Sequence, residues 1–242
     1  LDFELPEEPN FDNEFAPYAF EEEAFQPADP ISLYDDMRTF MGYAREGGRG
    51  VGTRNMIVVL GTSSLTAGFV RTLAQQTKHM ADAYDNVDSI VPIAHTEGGH
   101  SNPNNRDLLL RTLAGFMTHP NVGAVVAIDY GSEAITNETL REYMQANGYS
   151  LEHIPHHFYS LSNTFEANVE WFKGVLQKWL PQINATGRTP QPLSELKIAL
   201  QCGGSDAFSG VSCNPLAAWV AKEVIRYGGS ANLAETDELI GS

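Results

Sequence analysis

Cys202-Gly203-Gly204-Ser205-Asp206-Ala207-Phe208-Ser209-Gly210 follows directly on the apolar run 196–201 and precedes a helix-like segment at 215–227. A buried strand that breaks into a glycine-rich loop and then a helix is where open α/β sheets place their ligands. The loop offers a thiol, a carboxylate and two hydroxyls on backbone that glycine allows to approach a ligand closely. It predicts a small polar or anionic ligand, with or without a metal.

The same rhythm runs upstream. Apolar runs at 56–60, 89–94 and 123–128 are followed by segments of helical spacing at 66–80, 104–118 and 136–147. A shorter run at 158–161 precedes a helical segment at 163–180, and 231–234 closes the series. Continuous apolar strands alternating with amphipathic helices predict a mainly parallel sheet covered on both faces. The expected fold class is therefore α/β, doubly wound and Rossmann-like. Asn147-Gly148 and Gly228-Gly229 supply stop signals, where a left-handed cap is expected. Asn137 with Glu138 can open a helix. Residues 181–195, with Pro181, Gly187, Pro190 and Pro192, are expected to be a surface connection.

The chain has 242 residues and a formal charge of −16. That charge is concentrated: residues 1–37 hold 12 of the 31 acids and none of the 15 bases, so the remainder carries 19 acids against 15 bases. Residues 1–36 are expected to be an acidic extended leader, broken by Pro6, Pro9, Pro17, Pro27 and Pro30. Its aromatics, including Phe3, Phe11, Phe15, Tyr18, Phe20 and Phe25, could dock on a neighbouring surface. Residues 37–242 are expected to form the α/β domain. No basic face speaks for nucleic acid. No apolar run reaches about 18 residues, so no membrane span is expected. The acidic start is not a signal peptide. Two cysteines, Cys202 and Cys213, make no disulfide framework, and the cytoplasm is the simplest compartment.

In one parallel sheet, the loops after the strands share an edge. Four polar loops are then expected to converge: 61–64, 95–100, 129–133 and the Cys202 loop. His95, Glu97 and His100 have the chemistry of metal ligands or of a base with an orienting partner. Glu133 is a ligand or a helix-start carboxylate. Cys202 is reactive or a small buried residue, and Asp206 is catalytic or a turn stabiliser. Cys213 is expected to pack, and His79, His119, His153, His156 and His157 to be structural or on the surface. Before the first strand, Gly48-Arg49-Gly50-Val51-Gly52-Thr53-Arg54-Asn55 offers arginines that could clamp carboxylates, or simply pair with local acids.

Three stretches carry a resemblance: 40–43 through Gly52-Thr53-Arg54-Asn55, His119-Pro120-Asn121-Val122-Gly123, and 202–215 with Gly228-Gly229 to Glu235 and Glu238. Over roughly 37–242 they resemble the altronate/galactarate dehydratase family, which includes sulfolactate sulfo-lyase. The resemblance implies loss of water, or of sulfite, from a hydroxy acid, with a 2-keto-3-deoxy acid as the product from a sugar acid. It implies a divalent metal, iron in the family, with magnesium or manganese as alternatives. On that basis His95, Cys202 and Asp206 are expected to be catalytic. Arg54, Ser63, Gly203, Gly204, Ser205 and Ser209 are expected to bind a small carboxylate substrate, and Glu97, His100 and Glu133 to hold the metal.

Two family sulfur positions differ. Gly98-Gly99-His100 stands where the family has Gly-Cys-Gly, and Gly131-Ser132-Glu133 where it has Gly-Cys-Glu. The metal is thus bound differently here or is absent. The alternative expectation is a non-catalytic carboxylate-binding or assembly subunit. The family's small N-terminal domain, sometimes a separate subunit, is not seen, and the family pattern continues past Glu238. The chain is therefore expected to be the central part of a larger enzyme, either truncated or working with a partner chain, with homo-oligomer formation left open.

Overall fold

The computed structural model describes residues 26, 29–99, 102–103, 105–201, 203–204 and 206–235. Most of the expected leader, together with His100, Cys202 and Ser205, lies outside the described residues. Contacts divide the chain into Leu1–Ser32 and Leu33–Ser242. The described residues up to Ser32 have no regular structure.

The second unit opens with strands β1 (Thr39–Ala44) and β2 (Val51–Gly52). The α/β rhythm then begins with β3 (Met56–Gly61), α1 (Ala67–Thr77), β4 (Ser89–Ile93), α2 (Arg106–Thr118) and β5 (Val122–Asp129). It continues with α3 (Asn137–Ala146), β6 (His156–Ser160) and α4 (Phe165–Asn184). Strands β3 to β6 form a four-stranded sheet in the order β4-β3-β5-β6, with every pair parallel. This is the α/β fold that the apolar runs predict.

Alternation along the central strands sorts the core into two layers. Ile57, Val59, Ala124, Val126 and Ile128 point to one face, where Val70 and Leu73 of α1 and Phe172, Leu176 and Leu180 of α4 cover them. Val58, Leu60, Val125 and Ala127 point to the other, against Leu110, Leu113 and Met117 of α2 and Leu140 and Met144 of α3. All eight residues of β5 are buried, as a strand covered on both faces requires. Gly148 and Gly228 both adopt the left-handed conformation, at φ +74° and +82°, and close α3 and the last helix as expected.

Two parts of the chain depart from one continuous sheet. Strand β7 (Thr189–Pro192) joins β1 and β2 in an antiparallel sheet of order β2-β1-β7. The expected fifth strand exists as β8 (Lys197–Leu200). It pairs in parallel only with β9 (Ser230–Leu233), and α5 (Ala207–Val211) and α6 (Cys213–Arg226) lie between them. The expectation that 196–201 continues the main sheet is therefore corrected. The residues of β8 alternate between exposed and half-buried, unlike the fully covered β5. It behaves as a one-sided strand; α6, whose buried residues are Ala221 and Val224, packs against its partner β9.

Candidate functional site

The crossover from β3 to β4 runs over one face through α1, and that from β4 to β5 over the other through α2. The chain thus reverses direction between β3 and β5, and the loops leaving their carboxyl ends splay apart. That topological switch point is the general ligand crevice of open α/β sheets.

Glu133 closes its floor. The residue is 6% exposed. One carboxylate oxygen accepts from Thr62 Oγ1 at 3.4 Å, Ser63 Oγ at 3.2 Å and the Tyr130 N–H at 3.0 Å. The other accepts from the N–H groups of Tyr130 at 3.1 Å and Ser132 at 3.0 Å. A buried carboxylate needs such compensation. Glu133 thereby ties the loop after β3 to the loop after β5. Thr62 and Ser63 are fully buried, and Ser63 also caps the short turn at Ser64–Thr66 by accepting from the Leu65 N–H.

His95 stands near the start of the loop after β4. Its Nδ1 accepts the Glu97 N–H at 3.2 Å, so the ring proton lies on Nε2, which donates to the Gly61 carbonyl at 3.0 Å. The imidazole is neutral in this arrangement and ties the β4 loop to the end of β3. The Glu97 side chain is exposed and accepts from Thr96 Oγ1. Both residues border a groove of about 490 Å³ whose other walls include Ile93, Leu108, Leu109, Leu113 and Phe116. A Cβ added at Gly99 would collide with Ser64 Oγ. A side chain at that family sulfur position therefore needs Ser64 to turn away.

Of the sequence candidates, the sheet thus brings together Ser63, His95, Glu97 and Glu133. Arg54 is not among them. It precedes β3, at the opposite edge of the sheet, and pairs with Asp88 at 3.7 Å. The neighbouring Arg49 is a backbone clamp: it donates to the carbonyls of Thr118, His119 and Val122. Burial, with Arg45 alongside, brings its pKa down to about 10. This cluster meets backbone where the arginine pattern had suggested a carboxylate ligand.

Gly203, Gly204, Asp206 and Ser209 follow β8 and so belong to the separate two-stranded sheet. Among the described residues, no hydrogen bond, ion pair or shared pocket links them to His95 or Glu133. Asp206 caps α5, accepting the Ser209 N–H at 2.8 Å and Ser209 Oγ at 2.6 Å. The Ser209 hydroxyl first, and its N–H second, hold the Asp206 carboxyl below the usual aspartate range. A depressed carboxylate adds stability above its unfolded pKa, near 4, and that contribution is lost as pH falls through the depressed value. The thermal midpoint of Asp206→Ala is expected to sit below that of the parent near pH 7, with the gap narrowing as pH falls below about 4. A gap unchanged by pH would contradict this capping role. Cys213 begins α6 and is exposed, which corrects the expectation that it packs.

The sequence placed Asp129 in one of the converging loops and Asn137 at a helix start, but gave neither of them, nor Arg141 on the same edge, a binding role. The available signal was an acid ending an otherwise apolar strand, Asp129, eight residues before the helix-opening Asn137.

Residues 42–184 match the family model "D-galactarate dehydratase/Altronate hydrolase, second domain". Residues 193–242 match "D-galactarate/Altronate dehydratase, C-terminal". The chain belongs to the D-galactarate dehydratase/altronate hydrolase family. The second-domain match holds the whole four-stranded sheet, and the boundary between the two models falls just before β8, where the structure changes sheets. An altronate dehydratase of Bacillus subtilis is 30% identical over 213 residues, 86% of this chain and 41% of that protein. The altronate dehydratase of Escherichia coli is 30% identical over 207 residues, 83% of this chain and 39% of its own length. The (2R)-sulfolactate sulfo-lyase subunit beta of Chromohalobacter salexigens is 28% identical over 204 residues, 84% of this chain and 48% of that protein. The chain thus spans less than half the length of these curated relatives.

Proposed function

We propose that this chain supplies the doubly wound core of a sugar-acid dehydratase, a hydro-lyase acting on a polyhydroxy carboxylate such as altronate or galactarate. The observation that carries this reading is the match of both family models, in order, along one chain. The reaction takes a proton from the carbon beside the carboxylate, expels the neighbouring hydroxyl as water, and leaves an enol that becomes the 2-keto-3-deoxy acid. It needs a base for that proton and an acid for the departing oxygen.

His95 is the residue proposed for proton transfer. Its Nδ1 lone pair is held only by the Glu97 N–H, and a small shift of the 95–97 loop would release it towards the crevice. Ser63 is proposed to contact substrate there, with Glu133 holding its loop in place. The glycine loop, with Cys202, Gly203, Gly204, Ser205, Asp206 and Ser209, is proposed as a second part of the site, carried by the C-terminal segment.

The family resemblance implies a divalent metal. Among the described residues no three His, Cys, Asp or Glu side chains group as ligands. One oxygen of Glu133 already accepts from three donors and the other from two, and both nitrogens of His95 are in use. The described residues do not fit a metal cage, and no step is assigned to one. The same observations favour a second reading, in which the chain is a carboxylate-binding or assembly subunit. The relative named as a subunit beta supports an assembly with another chain, which is proposed to supply the family's N-terminal domain.

The test is to incubate the full chain with altronate, galactarate and sulfolactate, alone and with an N-terminal-domain protein of the family, and to follow 2-keto acid formation. The expected result is product from a sugar acid, falling at least about 100-fold in His95→Ala, within the range for a lost acid–base group. Binding of the sugar acids without any product would favour the second reading. Sulfite release from sulfolactate alone would redirect the assignment to sulfo-lyase chemistry.

A further inference from the structure

Between β5 and β6 the same edge of the sheet carries another pocket, of about 350 Å³, with Asp129, Asn137, Arg141, Phe158 and Ser160 in its wall. It lies at the amino end of α3, on the far side of β5 from the switch point. Asp129 is 2% exposed and Asn137 5%. Asp129 Oδ2 accepts the Asn137 backbone N–H at 2.6 Å, which pins the carboxylate to the first turn of the helix. Its Oδ1, and both the oxygen and the nitrogen of the Asn137 carboxamide, have no partner among the described residues. Buried polar atoms in folded proteins are nearly always bonded. Three unbonded ones on two adjacent side chains of one pocket wall are a reason to look for a ligand.

The other groups in the wall define its chemistry. Arg141 follows Asn137 by one helical turn, on the same side of α3. Its guanidinium lies 4.6 Å over the Phe158 ring, and no carboxylate pairs with it among the described residues. The amino end of a helix adds further positive potential. A metal cation would meet both, so the pocket is unsuited to one. Asp129 Oδ1 can only accept, which calls for a hydroxyl donor, and a carboxamide that both donates and accepts suits a neighbouring hydroxyl. Glu138 also borders the pocket, with its side chain exposed at the rim.

We propose that this pocket binds one end of a polyhydroxy carboxylate, with Arg141 and the start of α3 taking the carboxylate and Asp129 and Asn137 taking adjacent hydroxyls. The inference deepens the proposed function and rests on it for the choice of probe. The three unbonded atoms are closed off from solvent, so ligand entry requires the wall to yield locally.

Three six-carbon probes separate the contributions: galactarate has hydroxyls and carboxylates, adipate only carboxylates, and galactitol only hydroxyls. Each is titrated into the full chain by calorimetry, with the side-chain resonances of Asn137 and Arg141 followed by NMR. Galactarate is expected to shift both resonances and to bind at least about tenfold more tightly than either of the other probes. Arg141→Met, a change at an exposed position, is expected to weaken galactarate by a similar factor while leaving the fold intact. Galactarate shifts confined to Ser63 and His95 would overturn this inference and leave the proposed function standing. Shifts at Asn137 and Arg141 without 2-keto acid formation would do the reverse. Equal binding of all three probes, no binding of galactarate, or wild-type binding by Arg141→Met would overturn the inference outright.

Discussion

Glu133→Ala will lower the free energy of unfolding by about 2–4 kcal/mol, because several buried or half-buried donors lose one charged acceptor at once. The size follows from what is left behind. The fully buried Ser63 hydroxyl and the Tyr130 and Ser132 N–H groups lose this acceptor together, while Thr62 Oγ1 keeps the Ile128 carbonyl at 3.4 Å. Each stranded buried donor costs about 1–3 kcal/mol, partly recovered where water can enter beside the exposed Tyr130. Glu133→Gln keeps an acceptor oxygen but turns a donor towards other donors, so its loss should be smaller, about half. Urea unfolding followed by circular dichroism, with the slope unchanged, is the measurement. A loss under about 1 kcal/mol for the alanine variant would show that the two loops hold together without this carboxylate.

Phe172→Ala will cost a similar amount, about 3–5 kcal/mol, as expected for truncating a buried phenylalanine. Phe172 has no solvent exposure and lies in the layer formed by Ile57, Val126, Leu176 and their neighbours. A cavity there sits against the central strands, which have little freedom to collapse into it. Trp219 is the contrasting position. It is 60% exposed, and Trp219→Ala should change stability by no more than about 0.5 kcal/mol. Equal losses at the two positions would mean that α6 is held far more firmly than its exposure shows.

The strands and helices of the main sheet were legible because burial on both faces leaves an unmistakable pattern. Residues 56–60 and 123–128 are apolar throughout, and they became the two central strands. The edge strand β6 was half visible, since His156 and His157 begin it. His157 earns its place by stacking on Trp179 at 5.2 Å, which no local pattern announces. Residues 181–195 were misjudged on account of their prolines. Pro181 removes one intrahelical bond, yet α4 runs on to Asn184, with Leu180 and Ile183 anchored in the core. Pro190 and Pro192 sit in β7, which is an edge strand, where a missing N–H is tolerated.

The site was less legible, and for a physical reason. Its convergence depends on which strands share a sheet, and β8 has the same short apolar signature as a main-sheet strand while pairing elsewhere. Arg54 looked like a substrate clamp by composition, yet its place before β3 puts it at the amino edge beside Asp88. Glu133 was found as a carboxylate of interest, but its four donor residues could only be known once the loops after β3 and β5 were seen side by side. Asn137 was legible as a helix opener, not as a buried side chain lacking a partner.

The central claim is that a hydroxy acid binds at the carboxyl edge of the four-stranded sheet. Hydrogen–deuterium exchange of the full chain, with and without saturating galactarate, tests it most directly. The account predicts slowed exchange in residues 61–66, 94–99 and 129–138, with the amino-edge segment 49–55 unchanged. Protection confined to 49–55 and 118–122, or no protection under conditions where galactarate is bound, would contradict it.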